Sequence, residues 1–269
     1  MEEKFFEAVY EDNEEEVKEI IRMNPDLDVN WRNKAKFGWA ALYAACEMGH
    51  DSIVSILLAH PDIGVNAKDF GSSTPFSAAC RTGQTTCARL MLKDSRVLVN
   101  ERSNPGYTPF WWAAHRRDFE FIKWWIGSGR EMDLGTPGDD RTDAILAVRC
   151  SVVWDLEEHR RMKLEIVTLL EMFKRDEVET RHLLRLELGW YDRVAAEMFA
   201  LVVFVSDGLL QMRSQERAAD TPAARFFRIA CQLPLELLMG LCYRLVGSSK
   251  ERICLADSEL AFKDLATWL

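Results

Sequence analysis

The sequence lacks the features of a membrane protein and of a general nucleic-acid binder. Its apolar runs, such as MFALVVFV at 198–205, are far too short to span a bilayer. Its formal net charge is −9, whereas a protein that binds nucleic acid presents a basic footprint. We therefore expect no membrane role and no nucleic-acid partner.

The sequence also lacks the cysteine spacing of disulfide frameworks and zinc sites. Its seven cysteines are scattered without Cys-x2-Cys spacing, and several stand where alanine would fit, as in YAAC and SAAC. This usage indicates reduced, buried thiols that pack as small apolar groups. It predicts a cytoplasmic or nuclear protein.

Histidines and carboxylates form no recognisable catalytic set. The five histidines show no metal-ligand spacing; they are His50, His60, His115, His159 and His182. No Gly-x-Ser-x-Gly, P-loop or Gly-rich dinucleotide turn is present. We expect a non-enzymatic protein with no catalytic residue, no cofactor and no metal. An enzyme or sensor hidden in the C-terminal helices is the alternative.

An internal repeat with a period of 34 residues organises the first half of the chain. Three copies start near residues 39, 73 and 107, and an earlier copy occupies 5–30. The equivalent positions are Ala40, Thr74 and Thr108; Leu42, Phe76 and Phe110; and Ile53, Cys87 and Phe121. Such a period predicts a solenoid whose units bury their apolar faces against their neighbours.

Each copy reads as a helix pair followed by a hairpin. Thr74 and Thr108 suit the N-cap of a first helix, and proline follows both. Gly49 and Gly83 suit its end, where φ must be positive. The stretch DSIVSILL at 51–58 has the apolar stripe of a second helix, and Val-Asn then leads into a polar finger.

Together these features resemble the ankyrin repeat, whose signature is Thr-Pro-Leu-His, Ala-Ala, Gly-His and a Val-Asn turn. The resemblance covers residues 4–135 well and extends weakly to 174. It implies an all-α, ankyrin-repeat solenoid with hairpin fingers, and a module that binds a protein or peptide. The signature histidine is missing, because Tyr43, Ser77 and Trp111 hold its position.

Two further sets of repeat positions carry expectations. The left-handed residue that ends each first helix is expected at Asn13, Gly49, Gly83 and Arg117. An arginine in that conformation costs about 1 kcal/mol, so the fourth copy should be less ideal. The resemblance assigns Asn30, Asn66 and Asn100 to ties between successive fingers, with asparaginyl hydroxylation as an alternative use.

The array is predicted to end with a degenerate fifth copy. This copy begins at 139–150, and its second helix at 166–173 comes about eleven residues late. An insertion of that length favours an extended helix or a helix pair over a loop. We predict an array over 1–174 and a helical module over 175–269 that docks on the last repeat.

The predicted module consists of helices around an exposed linker at 213–222. The helical stretches are 176–188, 191–212, 223–232, 234–247 and 257–269. The phrase LPLELLMGLCYRL at 233–245, with the residues up to 269, is similar to the opening of an F-box. That resemblance implies a substrate adaptor of a ubiquitin ligase. The alternative is that Leu-Pro begins an ordinary helix whose leucines are core.

Four tryptophans in the fourth copy admit two interpretations. Trp112, Trp124 and Trp125 occupy sites that are normally apolar, whereas Trp111 replaces the signature histidine. Large aromatic rings fill volume where a solenoid changes partners, and they are also enriched in interface hot spots. We expect Trp112, Trp124 and Trp125 to be mostly buried.

The family's variable positions define the candidate partner-binding surface. It comprises Trp39, Met48, Lys68, Phe70, Arg81, Arg102, Tyr107, Trp111, His115 and Arg116, with Lys34 and Lys36 nearby. The set is basic and aromatic, with Glu47 as the one acid among these positions. It predicts that a monomer binds an acidic peptide or protein face on its concave surface. A chance scatter of solvated charges is the alternative.

Overall fold

The structure, a computed structural model, describes residues 1–150, 157–206, 230–231, 233–246, 253 and 255–266. By its internal contacts the chain divides into two compact units, Met1–Leu184 and Arg185–Leu269. The described residues form α-helices and one short 3₁₀ helix, Lys34–Lys36, without a strand. The all-α fold class is therefore confirmed, and the domain boundary at residue 174 stays a prediction.

Four consecutive helix pairs form the repeats. They are α1 (Glu2–Tyr10) with α2 (Glu14–Met23), α3 (Ala41–Met48) with α4 (Asp51–Ala59), α5 (Pro75–Thr82) with α6 (Thr85–Lys93), and α7 (Pro109–Arg116) with α8 (Phe119–Ser128). The first helices of the pairs pack on one another in chain order as an inner row. The second helices pack in the same order as an outer row. This is the solenoid that the 34-residue period predicts.

Threonine side chains begin two of the inner helices. Thr74 Oγ1 accepts a hydrogen bond from the Ser77 N–H at 3.2 Å, and Thr108 Oγ1 accepts one from the Trp111 N–H at 3.1 Å. Proline follows each threonine at the first helical position, where no intrahelical N–H bond is needed. Both predicted N-caps are confirmed.

The inner helices end near a residue with positive φ. Gly49 and Gly83 have φ of 88° and 79°, and Arg117 has φ of 61°. In the first pair the residue with positive φ is Asp12 (φ 59°), so the prediction of Asn13 was wrong. Asn13 caps the start of α2 instead, because its side chain accepts a backbone N–H there.

Trp125 of α8 lies at the centre of an aromatic core. It is fully buried, and the rings of Phe76, Phe110 and Phe121 have their centroids 5.0, 5.1 and 5.6 Å from its own. Because Phe76 belongs to the preceding pair, Trp125 joins two repeats. Trp124 on the same helix is 6% exposed. The packing interpretation is therefore confirmed for both tryptophans.

Asparagines at the finger bases tie neighbouring repeats together, as the resemblance implies. Asn30 Nδ2 donates to the Asp62 carbonyl at 2.7 Å, and Asn66 Nδ2 donates to the Arg96 carbonyl at 2.8 Å. The Asn30 and Asn66 side-chain oxygens also accept backbone N–H groups from the same turns. Each tie therefore satisfies backbone groups that the irregular finger base would otherwise leave unpaired.

The third tie departs from this pattern. Asn100 Oδ1 accepts the Asp133 N–H at 3.1 Å, but the Arg130 carbonyl accepts from Arg181 at 3.2 Å. Arg181 belongs to α11 (Glu177–Glu187) and forms a 2.7 Å ion pair with Glu177. A helix beyond the repeats thus completes the last regular joint of the array.

The fifth pair is irregular, as predicted. Helix α9 (Ala144–Cys150) packs on α7, and α10 (Glu157–Arg175) packs on α9. Helix α10 has 19 residues, which confirms an extended helix in the insertion from residue 157 onward. Residues 151–156 of that insertion lie outside the described part of the chain.

The second unit has its own small core. Helix α12 (Trp190–Ser206) packs against α13 (Leu235–Leu245) and α14 (Leu255–Ala266). The core residues are Ala195, Phe199, Val202, Ala230, Leu238, Cys242 and Tyr243. The predicted helices are confirmed within these bounds. The predicted linker at 213–222 and almost all of the helix at 223–232 lie outside the described residues, and docking of the module on the last repeat stays a prediction.

Replacing Trp125 tests the aromatic core. Trp125→Ala should lower the free energy of unfolding by about 3–5 kcal/mol, since it removes a fully buried ring. Denaturant unfolding of the whole chain measures this loss. Trp112→Ala is the matched control, because Trp112 is only partly buried and should cost clearly less. Equal losses for the two variants would contradict the packing described for Trp125.

Replacing Arg117 tests the left-handed turn between α7 and α8. Its Nε and Nη1 are buried and have no hydrogen-bond partner. Arg117→Gly should raise the free energy of unfolding by about 1 kcal/mol, because it removes both the backbone strain and these unpaired groups. Arg116→Gly is the control, because Arg116 lies within helix α7. Glycine there should lower the free energy of unfolding by about 1 kcal/mol. A lower denaturant midpoint for Arg117→Gly would contradict the prediction.

Candidate partner-binding surface

Hairpin fingers connect the helix pairs at residues 31–39, 66–73, 100–107 and 133–142. The first three are closed by backbone N–H to carbonyl bonds: Asn33 to Trp39 (2.9 Å), Asp69 to Ser73 (3.0 Å) and Ser103 to Tyr107 (3.0 Å). Neighbouring tips also bond to each other. The Phe70 N–H donates to the Phe37 carbonyl at 3.0 Å, and the Asn104 N–H donates to the Gly71 carbonyl at 2.9 Å. The first three fingers therefore form one continuous row.

Four aromatic side chains lie close together, one just before the inner helix α7 and three along it. We call Tyr107, Trp111, Trp112 and His115 the α7 aromatic cluster. The Tyr107 ring lies 4.4 Å from that of Trp111 and 5.0 Å from that of Trp112, between centroids. The two indoles are nearly perpendicular, at 89° and 4.9 Å. Contacting rings at crossed angles fix each other's positions, so the cluster is preorganised.

Trp111 is the more deeply buried of the two adjacent tryptophans, although the sequence analysis placed it on the partner-binding surface. Trp111 is only 8% exposed, whereas Trp112 is partly exposed. Trp111 holds the signature-histidine position, and its equivalents Tyr43 and Ser77 are also buried, at 1% and 0% exposure. Trp111 therefore supports the cluster from beneath, and Trp112 supplies accessible aromatic surface.

His115 is an uncharged member of the cluster at neutral pH. Its ring stacks on Trp111 at 4.8 Å between centroids and an angle of 12°. Burial lowers the pKa of His115 below its ordinary value of 6.5, and the positive charges of Arg117 and Arg116 lower this pKa further. At pH 7 the imidazole therefore adds aromatic surface without adding charge.

Most basic residues of the predicted surface are paired with carboxylates. The ion pairs are Arg81 with Glu47 (2.6 Å), Lys68 with Glu101 (2.5 Å) and Arg102 with Asp133 (3.3 Å). The sequence analysis counted Glu47 alone as an acid here, and the structure adds Glu101 and Asp133. These pairs join neighbouring repeats, so they neutralise charge that the sequence assigned to a partner.

Arg116 differs from these paired residues. It is exposed, and its Nη1 donates to the Arg81 carbonyl at 3.3 Å. Among the described residues no carboxylate forms an ion pair with it. Its guanidinium lies at the end of α7, one residue after His115. The exposed edge of the α7 aromatic cluster is therefore next to a positive charge that the protein itself does not neutralise.

Two phenylalanines stand exposed at neighbouring finger tips, and we call Phe37 and Phe70 the fingertip pair. They are 69% and 62% exposed. Phe37 has φ of 54°, a left-handed conformation that costs a bulky residue about 1–2 kcal/mol. The Phe70 ring lies across Gly38, where an added Cβ would come within 2.5 Å of it. The guanidinium of Arg32 lies 5.5 Å from the Phe70 ring centroid.

The predicted surface residues all lie on fingers or inner helices. Met48, Lys68, Phe70, Arg102 and Arg116 are exposed; Trp39, Arg81, Tyr107 and His115 are partly exposed; Trp111 is buried. The sequence analysis did not include Phe37 or Trp112 in the set. A signal for Phe37 was available, because Phe-Gly occurs at both finger tips, in KFGW and DFGS.

Three buried cysteines, Cys46, Cys80 and Cys87, lie on helices of the array. Burial raises the pKa of Cys87 to about 11 and those of Cys46 and Cys80 well above their usual value, so all three are neutral thiols at pH 7. Across the described residues, no group of three or more His, Cys, Asp or Glu side chains could hold a metal ion. No described helix has both the length and the apolar character needed to cross a membrane.

Comparison with known families agrees with this geometry. Residues 5–103 match the family described as Ankyrin repeats (3 copies). No curated protein matches the chain. Ankyrin repeats are protein–protein interaction modules and in general do not catalyse reactions. Helices α1–α6 lie within the matched residues, and the pair α7–α8 continues the same packing beyond them. Residues 5–103 are therefore similar to ankyrin repeats, and no family is recognised for the helices that follow.

Proposed function

We propose that this ankyrin array binds an acidic peptide or protein face on the surface formed by its inner helices and fingers. The observation that carries the proposal is the α7 aromatic cluster beside Arg116. Interfaces are enriched in tyrosine, tryptophan and arginine, which supply anchor area and two-pronged contacts to carboxylates. The array acts as a monomeric, non-enzymatic module in the cytoplasm or nucleus.

The aromatic part of this surface supplies the apolar contact area. Trp112 and Tyr107 are partly exposed and are held by the buried Trp111 behind them. Because these rings are already held in place, the array loses little side-chain entropy when a partner covers them. We therefore assign the central contact to Trp112, with Tyr107 and His115 at its edges.

The charged part of the surface supplies orientation and encounter rate. Arg116 is available to a partner carboxylate without breaking an internal ion pair. Arg81 is less suitable, because Glu47, with a side chain only 14% exposed, would lose its partner. The paired Lys68 and Arg102 lie at more exposed positions, where exchange of one carboxylate for another costs little. A net attraction for acidic faces follows.

Site-specific crosslinking in extract of the source cells tests this surface. A photo-crosslinking phenylalanine derivative replaces Trp112 in one protein and Met23, an exposed residue of the outer helix α2, in the control. We expect a discrete protein adduct at position 112 that is absent at position 23, with the crosslinked segment rich in Asp and Glu. Adducts at both positions, or at neither, would contradict the proposal.

Charge reversal then tests the electrostatic part with the captured partner. Arg116→Glu should weaken binding by about tenfold or more and flatten its dependence on salt, while the melting temperature stays unchanged. Arg22→Glu on α2 is the control for a general change of charge. A steep salt dependence that survives in Arg116→Glu would place the acidic contact elsewhere on the protein.

A second candidate function is that of a ubiquitin-ligase adaptor through residues 233–269. It is favoured by α13, where Leu237 and Leu245 are 62% and 52% exposed while Leu238 and Cys242 are buried. The exposed leucines are separated by two helical turns, which is suitable for docking on another helical protein. The adaptor function is an alternative use of the second unit and leaves the array free to hold a substrate.

Co-purification with a ubiquitin-ligase scaffold tests the adaptor function. The wild-type chain should retain the purified scaffold, and Leu237→Asp with Leu245→Asp should release it. Leu98→Asp is the control, because Leu98 is 54% exposed but belongs to the array. The adaptor function is wrong if the wild-type chain does not retain the scaffold, or if the double variant retains it equally well.

A further inference from the structure

We propose that the fingertip pair, Phe37 and Phe70, together with Arg32, Lys34 and Lys36, forms a docking site for an acidic segment that carries large apolar side chains. The inference rests on the proposed protein-binding function and deepens it, because it names the partner's chemistry and a second contact point. It assigns acid recognition to the first two fingers, in addition to the contact at α7.

The two phenylalanines are held next to each other by the backbone. The Phe70 N–H donates to the Phe37 carbonyl at 3.0 Å, which joins the two finger tips directly. Arg32 Nε donates to the Gly38 carbonyl at 3.0 Å, and its Nη2 donates to the Lys68 carbonyl in the next finger. One arginine thus bridges both fingers beside the Phe70 ring. The pair is a fixed feature of the surface.

Packing does not explain why phenylalanine occupies position 37. The side chain is 69% exposed, so it adds little to the core. Its backbone has φ of 54° and ψ of 27°, a conformation that glycine or asparagine would adopt at lower cost. A strained, exposed aromatic residue gains nothing from folding alone. A contribution of the Phe37 side chain to binding accounts for this strained and exposed conformation.

The charge around the fingertip pair has one dominant sign. The first two fingers, residues 31–39 and 66–73, hold four cations, Arg32, Lys34, Lys36 and Lys68, against one carboxylate, Asp69. Lys68 is paired with Glu101, but no carboxylate among the described residues pairs with Arg32, Lys34 or Lys36. The Asp69 carboxylate accepts the Ser73 N–H at 2.8 Å, within its own turn. The site is therefore positive on a chain of net charge −9.

The third and fourth fingers differ from the first two in both charge and aromatic content. Residues 100–107 carry Glu101 and Arg102, and residues 133–142 carry three aspartates and one arginine. Neither contains a phenylalanine. Exposed aromatic rings and unpaired positive charge therefore coincide at the first two fingers. A partner with acidic residues next to leucine or phenylalanine matches both properties, whereas a basic or wholly polar partner matches neither.

Selection from a random peptide library tests this chemistry directly. The full chain is panned against phage-displayed 12-residue peptides, and enriched peptides are synthesised with a fluorescent label for anisotropy titrations. We expect peptides rich in Asp and Glu with Leu or Phe among them. Phe37→Gly and Phe70→Ser should each weaken their binding by at least about tenfold. Lys34→Glu with Lys36→Glu should do the same and reduce the salt dependence.

Folding and location are controlled within the same experiment. Phe37→Gly should keep or raise the melting temperature, since glycine suits a φ of 54°, so its loss of binding cannot come from unfolding. Met23→Ser on α2 is the matched control, because Met23 is 63% exposed and lies on the outer row. It should leave the affinity unchanged.

Other results would overturn the inference. Acidic peptides that ignore both phenylalanine variants but are lost in Trp112→Ala would refute it and leave the proposed function intact. Enrichment of neutral or basic peptides would refute the inference as well. A selection that enriches no peptide would contradict both this inference and the proposed function. Sedimentation that shows a dimer lost in Phe37→Gly would assign the pair to a second copy of the chain. Phosphatidylserine vesicles bound only by the wild-type chain would assign it to a membrane surface.

Discussion

The packing of each inner helix on the next is the contact on which the whole array depends. Alanine pairs lie at its centre: Ala44 and Ala45, Ala78 and Ala79, and Ala113 and Ala114 are each at most 1% exposed. Their small side chains let neighbouring inner helices approach closely. A single helix pair could not bury its apolar face alone, so each pair depends on its neighbours. This close approach fixes the spacing of the fingers. The buried alanines therefore determine the geometry of the proposed partner-binding surface without forming part of it.

The same short spacing determines which charges remain available for recognition. Successive fingers are near enough for Lys68 to reach Glu101 and for Arg102 to reach Asp133, so these cations are largely neutralised within the array. A count of basic residues along the sequence cannot show this, because each carboxylate lies in the next repeat. Within the predicted surface and the first finger, the described cations without a carboxylate partner are Arg32, Lys34, Lys36 and Arg116. Unpaired positive charge is therefore confined to parts of the predicted surface and is not spread along all of it.

The sequence predicted the repeats well, because the 34-residue period reflects local requirements. Thr108 caps α7 by accepting the N–H of the residue three positions on, and the proline after it suits the first helical position; both features are visible in the sequence. Burial at adjacent helical positions is harder to predict. Trp111 and Trp112 are both large and aromatic, and only the neighbouring helix decides which one is covered. Arg181 was unpredictable for another reason: its contact with Arg130 spans 51 residues and follows no period.

In the part of the chain that the structure describes, the two bulky residues with positive φ are Phe37 and Arg117, and they differ in exposure and in surroundings. Arg117 occupies the position where Gly49 and Gly83 end the preceding inner helices, and two of its nitrogens are buried without partners. Its strain accompanies the loss of regularity toward the fifth pair. Phe37 lies in a finger whose closing bond, tip bond and neighbouring 3₁₀ helix are all formed, and its ring remains in solvent. Backbone strain alone is therefore no sign of a binding site. Strain combined with exposure, in a well-formed part of the repeat, is what distinguishes Phe37 from Arg117 and supports the docking site proposed at the first two fingers.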